Sequence, residues 1–431
     1  MESKRIKAQL WDNMQYYFHE YNDATMRWAT FYNGTFDIEL LKKAAVSVIE
    51  KFPIVNSKFI PAPIKAYWKR YPTIDIEQFF EFFTTTEATH RAAVLEYISK
   101  GRDPRKGRPI RIAVFRKDEN GVQNDCLVLH FSHLVADGSG FTLFMRALSD
   151  TYNHMAVNPN YTCKYEMGNR DYKQFYKYLS KEECVRAKQM TNYRHEKNER
   201  LKLPIESYRP EFQKRILTHT VEGFGAIRKY CKAHGFTFND VILAAYLIAL
   251  MKHVRFEEGQ SLAIDCVLNL RRYMPQDMEI NFCNLVSKIK VSLGNDLGAT
   301  FHDTCKLVHE FMDRTKNDLG GLGGLTLLNL MDRIFPFAIG KILIKIFYQN
   351  PYIGVSNIGK VEYKTVTFNG LNPVDLIVTG AMKYAPYMML SLVTFGDSIY
   401  FTLPIACSDN DLKIFQDILD DVSSHLEEFA K

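Results

Sequence analysis

The run His130-Phe131-Ser132-His133-Leu134-Val135-Ala136-Asp137-Gly138 decides how this chain is read. Before it, Cys126-Leu127-Val128-Leu129 is apolar and reads as a buried strand. After it, Ser139-Gly140-Phe141-Thr142-Leu143-Phe144 opens a helix. A histidine at a strand end, followed four residues later by an aspartate in a glycine turn, suits general-base chemistry. Imidazole is the side chain whose ordinary pKa lies closest to neutral pH. Residues two apart on a strand project to one face. His130 and Ser132 therefore share a face, and His133 takes the other.

Working outward, 431 residues exceed one ordinary domain and predict two domains or one large pseudo-symmetric unit. A hydrophobic share of 46% is ample for a large core. The net charge of +6 is mild, and no recognised nucleic-acid module accompanies it. None of the eight cysteines forms a CxxC pair, so no zinc or redox motif is expected, and no other metal site is read. The N-terminus carries no apolar signal region, and the apolar stretch Phe335 to Phe347 is short for a membrane span and interrupted by Lys341 and Lys345. The expectation is a reduced, cytoplasmic protein without an integral membrane segment.

Apolar spacing predicts helices over Asp37–Phe52, Glu87–Ser99, Gly223–Gly235, Val241–His253, Asp303–Asp318 and Asp409–Ala430. Strands are expected at Ile54–Ile60, Pro109–Phe115, Ser261–Asn269, Leu285–Val291, Tyr352–Ile358, Val361–Phe368, Met388–Phe395 and Ser398–Pro404. A turn near Asp118-Glu119-Asn120-Gly121 would pair Pro109–Phe115 with the strand before His130. The Gly320–Gly324 run ends a helix flexibly. Interleaved strands and helices predict an α/β fold of mixed sheets packed by helices. Residues 181–215 hold ten Lys or Arg and six Glu, and read as a charged helix running into a linker. That places one half at 1–180 and the other at 216–431.

In this context Ser132-His133-Leu134-Val135-Ala136-Asp137-Gly138 resembles the His-His-x-x-x-Asp-Gly motif of the chloramphenicol-acetyltransferase-like, coenzyme-A-dependent acyltransferase superfamily. Its members include peptide condensation domains, alcohol acetyltransferases and wax ester synthases. Leu268-Asn269-Leu270-Arg271-Arg272-Tyr273, Asn281 to Val286 and Val355-Ser356-Asn357-Ile358-Gly359 resemble later signatures in the expected order. The second-half segments look most like alcohol acetyltransferases and wax ester synthases. The departure is Ser132, where the motif has its first histidine. The resemblance implies two similar α/β halves with an active-site channel between them. It also implies His133 as the base.

The matching aspartate of the family is structural and pairs with an arginine from the other half. Asp137 would pair with Arg271, and Gly138 would allow a tight turn. Ser356 and Asn357 are candidates for the channel or for oxyanion stabilisation, against a bland reading as strand-capping polar residues. Ser132 is not read as a nucleophile, since no Gly-x-Ser-x-Gly elbow surrounds it. The expected reaction moves an acyl group from a coenzyme A or carrier-protein thioester to a small-molecule alcohol or amine, esters being preferred. No tightly bound cofactor and no covalent intermediate are expected. The competing readings are a non-catalytic binding module of the same fold and an amide-forming condensation enzyme working with acyl or peptidyl carrier proteins. The eight bases against one acid in Lys100–Lys117 suit coenzyme A phosphates or an acidic carrier protein, or form a solvated loop.

Overall fold

The motif strand runs Val122–Ser132 in the middle of a five-stranded sheet. Its neighbours are Thr25–Tyr32 and Ile110–Glu119, both antiparallel, with Leu129 opposite Trp28 on one side and Ile112 on the other. Phe80–Thr85 adds parallel to Ile110–Glu119 at one edge. At the other edge, Pro373–Thr379 pairs antiparallel with Thr25–Tyr32. The computed structural model describes residues 5–119, 121–189, 199, 201–317, 319, 321–348 and 350–429.

The apolar run before the motif is continuous because both faces of this sheet are covered. Leu127, Leu129 and Phe131 pack into the main core with the helices Ile38–Lys51 and Gly138–Val157. Phe131 meets Phe144 edge-on at 4.8 Å, and Phe144 meets Phe52 at 5.5 Å. Cys126 and Val128 join a second cluster with Val94 and Ile98 of the helix Glu87–Ser99. His130 shares that second face and stacks on Tyr97 at 5.0 Å. His130 thus lies on the face opposite Phe131, as the strand alternation predicts.

The second large sheet has the order Val286–Ser292, Ala263–Asn269, Ile353–Val361, Met388–Phe395, Ser398–Cys407. Ser398–Cys407 also pairs with Gln213–Glu222 along its whole length. The helices Phe238–Met251 and Leu412–Glu427 pack together, and the former is buried along most of its length. Thr237 caps it, its hydroxyl accepting from the Asp240 N–H at 3.3 Å. A third, small sheet joins Arg5–Lys7, Tyr67–Arg70 and Ser57–Ile60. The architecture is two-lobed and α/β, with mixed sheets packed by helices.

Several local expectations change. Val361–Phe368 is not a strand: Tyr363–Val366 forms a short helix. The Ser149 hydroxyl donates to the carbonyls of Lys364 (3.2 Å) and Thr367 (2.6 Å), and these tertiary bonds override β-branched propensity. The charged segment 181–215 begins with a helix as expected, Lys181–Gln189, but its last residues, expected as linker, already belong to the strand Gln213–Glu222. The rest of that expectation, at 190–198 and 200, lies outside the described residues, as does Asn120 of the expected turn. Beyond the glycine run, two helices, Gly323–Ile334 and Phe337–Phe347, follow one another across a break at Phe335-Pro336. Among the described residues no single helix is long and apolar enough to cross a membrane.

His130 is 1% exposed, and neither ring nitrogen has a hydrogen-bond partner among the described residues. Burial, with Arg27 and Arg102 adding to it, holds its pKa well below the histidine range. Below about pH 6.5 the unfolded chain takes up a proton that the native ring refuses, so stability falls with pH in that window. His130→Leu should flatten the acid limb of denaturation midpoint against pH. An unchanged slope below that pH would show that His130 does not set it.

Candidate active site

His133 lies one residue past the end of the motif strand. Its backbone N–H donates to the Ala24 carbonyl at 2.7 Å, extending the ladder by one step. The ring is partly exposed and turns toward Asn284, from the other lobe. The Asn284 amide nitrogen donates to the His133 carbonyl at 2.9 Å. Its oxygen therefore faces the His133 Nδ1, 3.1 Å away. An amide oxygen only accepts, so Nδ1 carries the proton and Nε2 keeps its lone pair. Burial lowers the pKa of His133, against opposing contributions from its own carbonyl, Asp137 and Asn284, and Lys383 lowers it further. The result is a neutral imidazole with a fixed tautomer at neutral pH, the form a general base needs.

Asp137 is 1% exposed and works as a junction. Oδ1 accepts from the Gly140 N–H at 3.0 Å, capping the helix Gly138–Val157. Oδ2 accepts from Arg271 Nη1 at 2.8 Å and from the Leu285 N–H at 2.7 Å. Arg271 also donates through Nη2 to the carbonyls of Asn281 (3.2 Å) and Cys283 (3.1 Å). Asp137 thus joins the start of the motif helix to the Asn281–Leu285 segment that carries Asn284. A Cβ at Gly138 would come within 3.2 Å of Ile358, so glycine lets the strand Ile353–Val361 approach the motif closely. Gly140 is tighter still, its Cβ position lying 2.7 Å from Ala136.

The other candidates divide. Ser132 is fully buried, and its hydroxyl accepts from the Leu134 N–H at 3.3 Å, a local turn contact. Asn357 donates to the Asn239 oxygen at 2.7 Å and accepts from the Gly359 N–H at 2.9 Å, which occupies it within its own lobe. Ser356 is half-buried, two residues from Ile358 on the strand that approaches Gly138. Two side chains escaped the sequence reading. Asn284 stood inside a noted segment, but nothing local marked its amide as the partner of His133. Lys383 sits on the short strand Lys383–Tyr384, bridged to Asn22. Burial and the neighbouring Lys288 push its ammonium down to about 7, against Asp23 and Asp265.

Two cavities, each about 240 Å³, flank the motif. One is lined by Tyr16, His19, Ala24, Arg105, Leu134 and Tyr384. It brings the basic run beside Ala24 and Leu134, which flank His133, although His133 itself lines neither cavity and Arg105 is held there by Asp103 at 2.7 Å. The other is lined by Ser139, Asn269, Arg271, Asn281 and Leu285. Among the described residues no group of three His, Cys, Asp or Glu side chains is placed to hold a metal ion.

Residues 6–272 match the profile of the family described as Condensation domain. The chain belongs to that family. Condensation domains are acyltransferase-type enzymes. No curated protein matches the chain by sequence. Among solved structures, the fold is similar to the first condensation domain of the calcium-dependent antibiotic synthetase in complex with a substrate analogue, at TM-score 0.71 and 11% identity, over 100% of this chain and 98% of that one. It is also similar to the epimerization domain from the third module of tyrocidine synthetase B, at 0.66 and 15%, over 100% and 98%. Polyketide synthase associated protein 5 from Mycobacterium tuberculosis matches at 0.65 and 12%, over 98% and 97%. The two-lobed condensation-domain fold accounts for the whole chain, and its bearers differ in reaction.

Removing Arg271 would leave the buried Asp137 carboxylate with only the Gly140 and Leu285 N–H groups and no opposite charge. Arg271→Ala should cost about 3–5 kcal/mol in urea unfolding. Arg271→Lys should recover only part, since one ammonium does not span the carboxylate and two carbonyls. A loss below about 1 kcal/mol for the alanine variant would mean the pair is not what joins these segments.

Proposed function

We propose that this condensation-domain protein is an acyltransferase that moves an acyl group from a coenzyme A or carrier-protein thioester to a hydroxyl or amine. His133 Nε2 takes the acceptor's proton as the acceptor oxygen or nitrogen attacks the thioester carbonyl. The C–S bond then breaks, and the departing thiolate receives that proton from the imidazolium. No metal is needed, because the thioester is already activated, and no acyl-enzyme forms. The observation that carries this reading is the Asn284 lock on His133 Nδ1, which leaves Nε2 as the free base. Ser356, half-buried on the strand that approaches Gly138, is the candidate donor for the oxyanion.

An ester product remains the first reading, because the second-half segments look like those of alcohol acetyltransferases. The family match favours a second reading, amide formation between carrier-bound substrates. All eight cysteines are free, seven of them buried, which supports placing the reaction in a reducing cytoplasm.

A thiol-release assay with acyl-coenzyme A and carrier-bound acyl donors, against alcohol and amine panels, tests the reading. Turnover should fall about 100-fold or more in His133→Ala, with the thermal unfolding curve unchanged. Near-wild-type turnover in that variant would remove the mechanism. The acid limb of kcat/KM should lie below about pH 6.5, because burial lowers the pKa of the base and extends its neutral form to lower pH. An acid limb above that value would contradict a buried neutral base.

A further inference from the structure

The consecutive helices Gly323–Ile334 and Phe337–Phe347 carry an apolar face that none of the described residues covers. Nine of the eighteen exposed large hydrophobic residues lie on it or beside it, among the described residues. In the first helix Leu327, Leu330 and Ile334 repeat at helical spacing and are all exposed, while Leu325 is buried. In the second, Phe337, Gly340 and Ile344 face the protein, and Ile339, Ile342 and Ile346 form the opposite, exposed stripe. Ile346 is 65% exposed and the adjacent Phe347 62%. Ile64 extends the same surface and is 71% exposed. Its carbonyl and that of Pro63 accept from the Phe337 (2.9 Å) and Ala338 (3.0 Å) N–H groups.

Charge selects the occupant. Residues 323–347 contain three bases, Arg333, Lys341 and Lys345, and one acid, Asp332. The acid accepts from the Asn13 amide at 2.7 Å, and Lys345 is paired with Glu20 at 3.1 Å, which leaves Arg333 and Lys341 as the segment's cations toward the surface. Lys65 adds another cation beside the same turn, donating to the Asp332 carbonyl at 2.9 Å. Long basic side chains interleaved with isoleucine and phenylalanine let the apolar stripe bury while the cations reach phosphate level. Twelve- and eleven-residue helices joined through Phe335-Pro336 suit lying in an interface rather than crossing one.

We propose that this helix pair docks the protein on an anionic lipid surface. The seat is firm, since the Tyr17 hydroxyl donates to the Phe337 carbonyl at 3.0 Å and packs on Gly340. It also adjoins the joint between the lobes. Tyr16 contacts Phe337 at 5.3 Å between ring centroids and lines the cavity beside Ala24 and Leu134. Docking would thus set that cavity near the lipid, and it stands whether or not the acyl-transfer reading does.

The test is co-sedimentation of the full chain with phosphatidylcholine vesicles, with and without phosphatidylglycerol. Binding is expected to the anionic vesicles and to weaken with added salt. The double variant Ile342→Glu, Ile346→Glu should bind about tenfold less or worse, with unaltered thermal unfolding and thiol release. Arg333→Gln with Lys341→Gln should reduce the preference for the anionic vesicles. The proposal is overturned if the wild type stays in the supernatant with both vesicle types, or if the glutamate variant binds as the wild type does. Concentration-dependent self-association that this variant abolishes, without vesicle binding, would overturn it in favour of a second copy.

Discussion

The buried Asp137 carboxylate is the contact on which the site depends. It caps the helix Gly138–Val157, pairs with Arg271 and accepts from the Leu285 N–H. A buried carboxylate with three charge-assisted or backbone donors is satisfied, and each donor lost leaves charge without compensation. Arg271 in turn holds the carbonyls of Asn281 and Cys283. The segment that carries Asn284 is therefore held against the turn that carries His133. The motif's aspartate acts on the base by fixing where its partner stands, and no hydrogen bond joins Asp137 to the imidazole.

Chemistry at His133 then follows from two influences of different range. At contact, the Asn284 amide orients the ring and selects its tautomer. At longer range, Lys383 disfavours a second positive charge, as burial does. Both favour an unprotonated Nε2. The amine that supplies part of this field sits close to its own titration point, pressed by Lys288 and relieved by Asp23 and Asp265.

What the sequence disclosed was what repeats locally. The motif turn, the helix Glu87–Ser99 and the strand Met388–Phe395 were legible from period and punctuation. The Arg271 pairing was legible only through resemblance. Asn284 was not legible as a partner, because it meets His133 across 151 positions and has no local signature. Lys383 was missed for the same reason: its pKa is a property of burial, which no single-residue pattern carries. Pro373–Thr379 was passed over because it joins the first sheet from far along the chain, where its alternation had no visible partner. The apolar stretch near 335–347 was measured against a membrane span, although its interrupting lysines mark an amphipathic surface helix.

Ser132 occupies the place of the motif's first histidine, and its surroundings set it apart from His133. On paired strands, residues directly opposite share a face. Ser132 lies opposite Thr25, and His130 opposite Arg27. Arg27 is fully buried and paired with Asp23, and the Thr25 hydroxyl accepts from the Arg102 N–H at 2.8 Å. This is a closed polar layer on the side of the sheet away from His133. A second imidazole there would meet Arg27 and Arg102, the same charges that keep His130 neutral. Asp23 also accepts from the Met382 N–H at 3.0 Å, one residue before Lys383. The layer thus reaches the active site through the backbone that places Lys383, and not through the side chain at position 132.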